Sequence, residues 1–245
     1  MKRWLLLPLL ICCFLCAGWL QVVPINEPSG GGCSKGTTIA SEDWENISDG
    51  EEWSNDGNWV ENLSSTDRFV GDNSIVHGGS LSGQALSDSD DYDRGCRLPF
   101  TALGNTGYVT FEFYILADDA TSGSQWDIYI CDDAYGVSSN RRVGLMVDSG
   151  YLKVRDNDTY VNVVSMSSDT WYKVEVQIDL SASTGIDAVR IWVDGVEASG
   201  SPYDTYSRSD PGSGIDRFVV HNYFANKPAL YIDDLLIYEG ERCAN

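Results

Sequence analysis

The sequence predicts an all-β protein built as a two-sheet antiparallel sandwich. Three observations carry that expectation. Apolar and polar residues alternate with period two in run after run, the mark of a strand with one face buried and one solvated. Clusters of Asp, Asn, Ser and Gly separate the runs at short intervals, as sandwich turns do. No stretch shows the longer period of an amphipathic helix. At 245 residues the chain suits a single sandwich domain, a class that reaches about 200–250 residues.

The first 18 residues read as an export signal. Lys2 and Arg3 supply the positive start, Leu5 to Leu15 the apolar run, and Cys16-Ala17-Gly18 the small residues of a cleavage site. The apolar run is short for a bilayer span, and bulky residues before Cys12 and Cys16 argue against a lipid-modified cysteine. Residues 19–36, with Pro24, Pro28 and the run Ser29-Gly30-Gly31-Gly32, read as a flexible spacer. The domain is expected over 37–240, followed by a short tail at 241–245. Its extracytoplasmic placement, secreted or at the cell surface, follows from the signal.

Eight strands are expected: Tyr108–Leu116, Gln125–Cys131, Arg141–Asp148, Tyr151–Arg155, Trp171–Leu180, Ala188–Asp194, Asp216–Tyr223 and Leu230–Tyr238. In the fifth, Tyr172, Val174, Val176, Ile178 and Leu180 alternate with Trp171, Lys173, Glu175, Gln177 and Asp179. Asp148-Ser149-Gly150 and Asp194-Gly195 supply hairpin turns. The segment from Ala40 to Val60 is less regular, with an acidic-aromatic stretch before a tryptophan-bearing loop.

The stretch WYKVEVQIDL (Trp171–Leu180), the stretch VRIWVDG (Val189–Gly195) and the closing ALYIDDLLIYEG (Ala229–Gly240) resemble the late strands of laminin-G-like domains of the concanavalin A-like lectin and glucanase superfamily. The resemblance runs from Thr37 to Gly240. It implies a concanavalin A-like, two-sheet antiparallel jelly-roll. That fold hosts lectins, hydrolases, lyases and adhesion modules, so it does not by itself assign a function.

Four cysteines remain beyond the leader, Cys33, Cys96, Cys131 and Cys243. An even number in an oxidising compartment suggests bridges, with three connectivities open. The resemblance implies Cys33–Cys243, because the first and last strands of that fold lie side by side, and it leaves Cys96–Cys131 as the second pair. No CxxC spacing supports a zinc site.

Charge narrows the partners. The formal net charge is −21, from 37 acidic and 16 basic residues. Such a field repels nucleic acid and anionic membranes and disfavours a polyanionic glycan. It also raises the expectation of a structural calcium ion. Glu42, Asp43 and Glu45 in the first acidic stretch would meet Asp233 and Asp234 if the first and last segments pair, and calcium takes six to eight oxygen ligands. The acid-rich run from Asp88 to Asp93 fails the calcium-loop pattern, having Tyr92 at its fifth position and no glycine next.

The polar faces of the strands supply a candidate glycan surface. If the strands join one sheet, Glu112, Tyr114, Asp127, Tyr129, Arg142 and Trp192 line its concave face. Aromatic rings cover the C–H patches of sugars, and charged groups bond the hydroxyls. The expected role is non-catalytic binding of extracellular or cell-wall polysaccharide. Paired carboxylates in the E-x-D-x-E style of glycosidases are absent. The enzyme alternative is a polysaccharide lyase, with Arg142, His221, Tyr114 and Tyr129 neutralising a uronate and moving its proton. The alternative from the structural class is an adhesion or surface-assembly module that binds protein. No P-loop, GxGxxG, GxSxG or HExxH motif occurs.

Overall fold

The computed structural model describes residues 35–62, 68–86, 94–104, 106–121, 126–131, 141–182, 185–205, 214–222 and 228–243. The chain divides into units at Met1–Cys33 and Ser34–Asn245, and every described residue belongs to the second. The leader, Cys33 and the run Asp88–Asp93 lie outside the described residues.

Fifteen strands are described: β1 (Thr38–Glu42), β2 (Val60–Asn62), β3 (Arg68–Asp72), β4 (Ser82–Leu86), β5 (Arg94–Leu103), β6 (Tyr108–Ala117), β7 (Trp126–Cys131), β8 (Arg141–Asp148), β9 (Tyr151–Asp156), β10 (Thr159–Ser165), β11 (Tyr172–Asp179), β12 (Val189–Val193), β13 (Val196–Glu197), β14 (Ile215–Asn222) and β15 (Leu230–Glu239). All eight expected strands are present within a residue or two of their expected ends. They form an eight-stranded sheet, in the order β13-β12-β11-β6-β15-β4-β3 with β1 also on β15, and a seven-stranded sheet, β10-β9-β8-β7-β14-β5-β2. Every described pairing between these strands is antiparallel. Among the described pairings, β1 to β5 reach the strands from β6 to β13 only through β15 in one sheet and β14 in the other.

Turn chemistry matches the sequence. Ser149 and Gly150 have φ of 53° and 80°, and Asp194 and Gly195 have 50° and 81°. Two successive positive φ values are what a two-residue hairpin loop needs to match strand twist.

The apolar rows of both sheets face each other. Val109, Phe111, Phe113 and Ile115 of β6 oppose Trp126, Ile128 and Ile130 of β7 and Phe218 and Val220 of β14. Phe218 bridges the layers, with its ring centroid 5.3 Å from Phe113 and 6.3 Å from Phe111. The irregular opening segment adds three indoles to this core. Trp44, Trp53 and Trp59 pack with centroids 4.7–5.9 Å apart. Trp53 sits on a short 3-10 turn, Trp53–Asp56, and donates to the Val70 carbonyl at 2.8 Å. Trp59 donates to Glu42 at 3.1 Å.

Cys96 and Cys131 are thiols and do not form the second bridge. Both strands pair with β14, Cys96 opposite Val220 and Cys131 opposite Arg217, so the two cysteines lie two strands apart and out of register. Cys96 faces the core, while Cys131 packs with Tyr129 and Val219 on the outside. A disulfide needs Cα atoms about 4.4–6.8 Å apart and converging Cβ vectors. Cys243 is disulfide-bonded.

Gly83 tests the indole cluster. A Cβ there would lie 2.5 Å from the Trp44 ring and 2.6 Å from the Trp53 ring. Gly83→Ala is expected to cost about 1–3 kcal/mol by overpacking, lowering Tm by roughly 2–4 °C per kcal/mol in a domain of this size. Gly104, with open space around it, is the control: Gly104→Ala should stay within about 0.5 kcal/mol. Thermal unfolding followed by circular dichroism compares the two.

Candidate functional site

The six residues expected on one concave face divide between two faces. β6 belongs to the eight-stranded sheet, whereas β7 and β8 belong to the seven-stranded one. Glu112, Tyr114 and Trp192 therefore lie on one outer surface of the sandwich, and Asp127, Tyr129 and Arg142 on the other. Alternation fixes which way a side chain points relative to the core, not which sheet its strand joins.

The outer face of the eight-stranded sheet is occupied by the protein's own groups. Glu112 and Glu175 sit directly opposite in register, an unfavourable pairing of like charges. Cations offset it. Lys35 and Lys173 each approach Glu112 to 2.8 Å, Lys173 is 3.8 Å from Glu175, and Arg242 is 3.0 Å from Glu175. Burial pushes the Glu112 carboxyl up, but Lys173 and Lys35 together hold it below its ordinary value. Arg242 also covers the Trp192 ring at 5.0 Å, and its amide donates to Gln177 at 2.8 Å. His77 stacks on Tyr114 at 3.4 Å and meets Asp234 at 2.8 Å. The three expected sugar contacts on this side are thus engaged within the chain.

The five acids expected to hold calcium do meet in one region, since β1 pairs with β15 and Glu42 stands opposite Leu235. They do not form one cage. Glu42 accepts from the Trp44 amide and the Trp59 indole. Asp43 accepts from the Glu45 amide, and Glu45 from the amides of Ser80 and Leu81. Asp233 is the buried member of its pair, opposite Tyr114 on the outer row of the sheet, and accepts from the amides of His77, Gly78 and Asp234. Each acid fastens a loop. Among the described residues no three His, Cys, Asp or Glu side chains gather as metal ligands. Glu42, Asp43 and Asp234 do share a cavity of about 320 Å³ with Ser41, Asn46 and Leu235, but Glu42 is held toward its protonated form. Burial pushes it up to about 7, with Asp56 adding to the effect.

The outer face of the seven-stranded sheet is different. Asp127 and Tyr129 project from β7, Arg142 follows the polar row of β8, and His221 projects from β14. Asp127 and His221 are opposite in register, as are Tyr129 and Val219. Asp127, Tyr129, Arg142 and His221 are no more than 3% exposed, so they form a floor rather than an open platform. The Tyr129 and His221 centroids are 5.9 Å apart. A register shift between Ile130 and Cys131 sets Arg141 beside Cys131, and its guanidinium lies 3.7 Å from the Tyr129 centroid. Gly144, opposite Tyr129, leaves room for that ring: a Cβ there would already touch it at 3.5 Å.

Four half-buried groups that sequence reasoning missed complete this face: Arg141, Lys153, Arg155 and Tyr160. Lys153 is 2.6 Å from Asp148. Tyr160 donates to Asp127 at 3.0 Å, and Arg155 lies 5.4 Å from the Tyr160 ring. Lys153 and Arg155 had a visible signal, alternating with the buried Leu152 and Val154. Tyr160 lies on β10, whose outer row was not recognised as a strand. Of the four lyase candidates, Arg142, His221 and Tyr129 share this face, and Tyr114 is on the opposite side of the molecule.

Burial pushes the Asp127 carboxyl up to about 6, against the pull of the Tyr129 and Tyr160 hydroxyls and of Arg141 and Arg155. Burial also pushes the Tyr160 phenol up, as does neighbouring Asp127.

No protein-family model matches the chain, and no curated protein matches its sequence. Solved structures share the fold. A sialidase superposes with a TM-score of 0.60 at 14% identity over 83% of this chain, which spans only 18% of that protein's length. The cellulose-induced protein Cip1 gives 0.56 at 14% identity, covering 81% of this chain and 96% of that one. An endo-β-1,4-glucuronan lyase from Trichoderma reesei gives 0.53 at 12% identity, covering 84% and 95%.

The raised Glu42 carboxyl has a pH consequence. A carboxyl whose pKa is higher folded than unfolded binds protons more tightly in the native state, so it favours folding most at low pH. That contribution is lost as pH rises from about 4.5 to about 7. In urea titrations at pH 5, 6, 7 and 8, Glu42→Gln should remove part of the decline, by at most about 1.4 kcal/mol per pH unit.

Proposed function

We propose that this chain recognises an extracellular polysaccharide through the outer face of its seven-stranded sheet, in a sandwich of the concanavalin A-like kind. One observation supports this most. On a chain of net charge −21, Arg141, Arg142, Lys153 and Arg155 gather with Tyr129, Tyr160 and His221 on a single sheet face. Rings of this type cover the C–H faces of sugars, and guanidinium and ammonium groups bond their oxygens. On the opposite face Trp192, Glu112 and Tyr114 are covered by Arg242, Lys35 and His77. The export signal belongs to the same reading, with the protein working outside the cytoplasm.

A second reading is favoured by the closeness of Tyr129, His221 and Arg141. Eliminative cleavage of a uronate polymer needs a cation to take charge from the sugar carboxylate and a base to remove the adjacent ring proton. It also needs an acid to protonate the departing glycosidic oxygen. Arg141 or Arg142 would serve the carboxylate, and Tyr129 and His221 the proton. The glucuronan lyase among the structural neighbours supports the fold's capacity for this chemistry.

Binding is tested on a panel of neutral and acidic polysaccharides. Arg155→Ala and Tyr160→Ala are each expected to weaken retention by about tenfold or more, in the range of about 1–3 kcal/mol per lost stacking or charged contact. Trp192→Ala should leave it unchanged. A loss with Trp192→Ala and none with the other two would move the site to the opposite face. Ultraviolet absorbance of unsaturated sugar ends separates the two readings: its appearance, and its loss in His221→Gln with binding kept, would establish cleavage.

A further inference from the structure

The polysaccharide reading leaves one group on this face unexplained. Asp127 is a buried acid at the middle of a row of cations. From its own strand Tyr129 leans toward it. From β8 come Arg141 and also Met146, which stands opposite Asp127 in register. From β9 come Arg155 and also Lys153, which stands opposite Met146 and is held by Asp148. From β10 the Tyr160 hydroxyl bonds it at 3.0 Å, and from β14 His221 stands opposite it. Asp127 thus lies within the influence of Arg141 and Arg155, the second of which also meets Asp158 at 4.0 Å.

A neutral sugar gives those cations no better partner than the one they have. A carboxylate-bearing sugar does. Its charge would compete with Asp127 for Arg141 and Arg155, and a second carboxylate brought against a buried one raises the proton affinity of the buried one. Sugar carboxylates remain ionised at neutral pH, so the proton goes to the protein side. We propose that this face selects carboxylate-bearing sugars and that Asp127 sets the selectivity by taking up a proton when the sugar carboxylate arrives. The proposal rests on the polysaccharide reading and names its ligand class. It reverses the expectation drawn from net charge, because four basic residues, Arg141, Arg142, Lys153 and Arg155, gather on the face that binds. The Asp127 titration at about 6 fits a group that is ionised in the free protein at pH 7 and within reach of protonation.

The test is calorimetric titration of the whole protein with polygalacturonate, polymannuronate, polyglucuronate and a neutral β-glucan. It is run from pH 6 to 8 in two buffers of different ionisation enthalpy. At least one uronate polymer should bind about tenfold or more tighter than the glucan, the difference one charge-assisted contact supplies. Close to one proton should be taken up per site, and affinity should fall by up to about tenfold per pH unit. Asp127→Asn should keep uronate binding while losing both the proton uptake and the pH dependence. Tyr160→Phe, which removes a donor to the same carboxylate, should move the midpoint upward, a second readout should Asp127→Asn fail to fold. Uptake that persists in Asp127→Asn but disappears in His221→Gln would put the proton on the histidine and overturn the proposal. Equal binding of uronates and neutral glucan would overturn it while leaving the polysaccharide reading standing. Failure of every polysaccharide to bind would remove both.

Discussion

The apolar layer between the two sheets is the constraint on which the surfaces of this protein depend. Phe218 touches Phe111 and Phe113 across the gap, and the rows beside it leave each strand only one allowed register. A slip of one residue would exchange the buried and solvated rows. Every outward group is therefore placed by the residue beside it that points in. Where the alternation is broken, it is broken to a purpose. The shift at Ile130 sets Arg141 over Tyr129. At the irregularity after Asp233, Asp234 takes a positive φ of 50°; Asp233 is buried against the His77 and Gly78 amides, and Asp234 meets the His77 ring.

The two outer faces resolve the same electrostatic problem in opposite ways. On the eight-stranded sheet the acids Glu112 and Glu175 are opposed, and cations from Lys35, Lys173 and Arg242 neutralise them. On the seven-stranded sheet Arg141, Arg142, Lys153 and Arg155 gather, with Asp148 on Lys153, Asp158 near Arg155, and Asp127 buried among them. Net charge averages over both arrangements and describes neither. A chain of formal charge −21 can still present a cationic surface, because charges a few ångströms from a ligand outweigh screened ones farther than about 10 Å away.

The second half of the chain was legible in the sequence because its strands are long and cleanly alternating. From Tyr108 onward, period-two rows and the loops at Ser149-Gly150 and Asp194-Gly195 mark the strands and most of their ends. Before that point β3, β4 and β5 are interrupted by Gly71, Gly83, Gly95 and Pro99, which weaken the pattern although Gly83 is there to admit two indoles. The site was half visible. Asp127, Tyr129 and Arg142 could be placed on an outward row from alternation alone. Their separation from Glu112, Tyr114 and Trp192 could not, because it depends on the chain crossing from one sheet to the other between β6 and β7. The pairing of β1 with β15 brings the acids around Glu42 and Asp233 into one region, and their use by loop amides, as at Glu42, Glu45 and Asp233, left no signal in the sequence.

The strand order carries a consequence for how the molecule is made. Among the described pairings, the strands from β1 to β5 join the later ones only through β14 and β15, which lie inside their sheets. Until residues 215–239 have emerged, each half-sheet has an exposed edge where its central strand will sit, and unpaired edges are where chains associate wrongly. Closure of both sheets is therefore late and non-local, the arrangement that folds slowly. For a chain exported as proposed, such delay is useful: it keeps the earlier strands threadable until β14 and β15 have followed them, and these two then complete both layers.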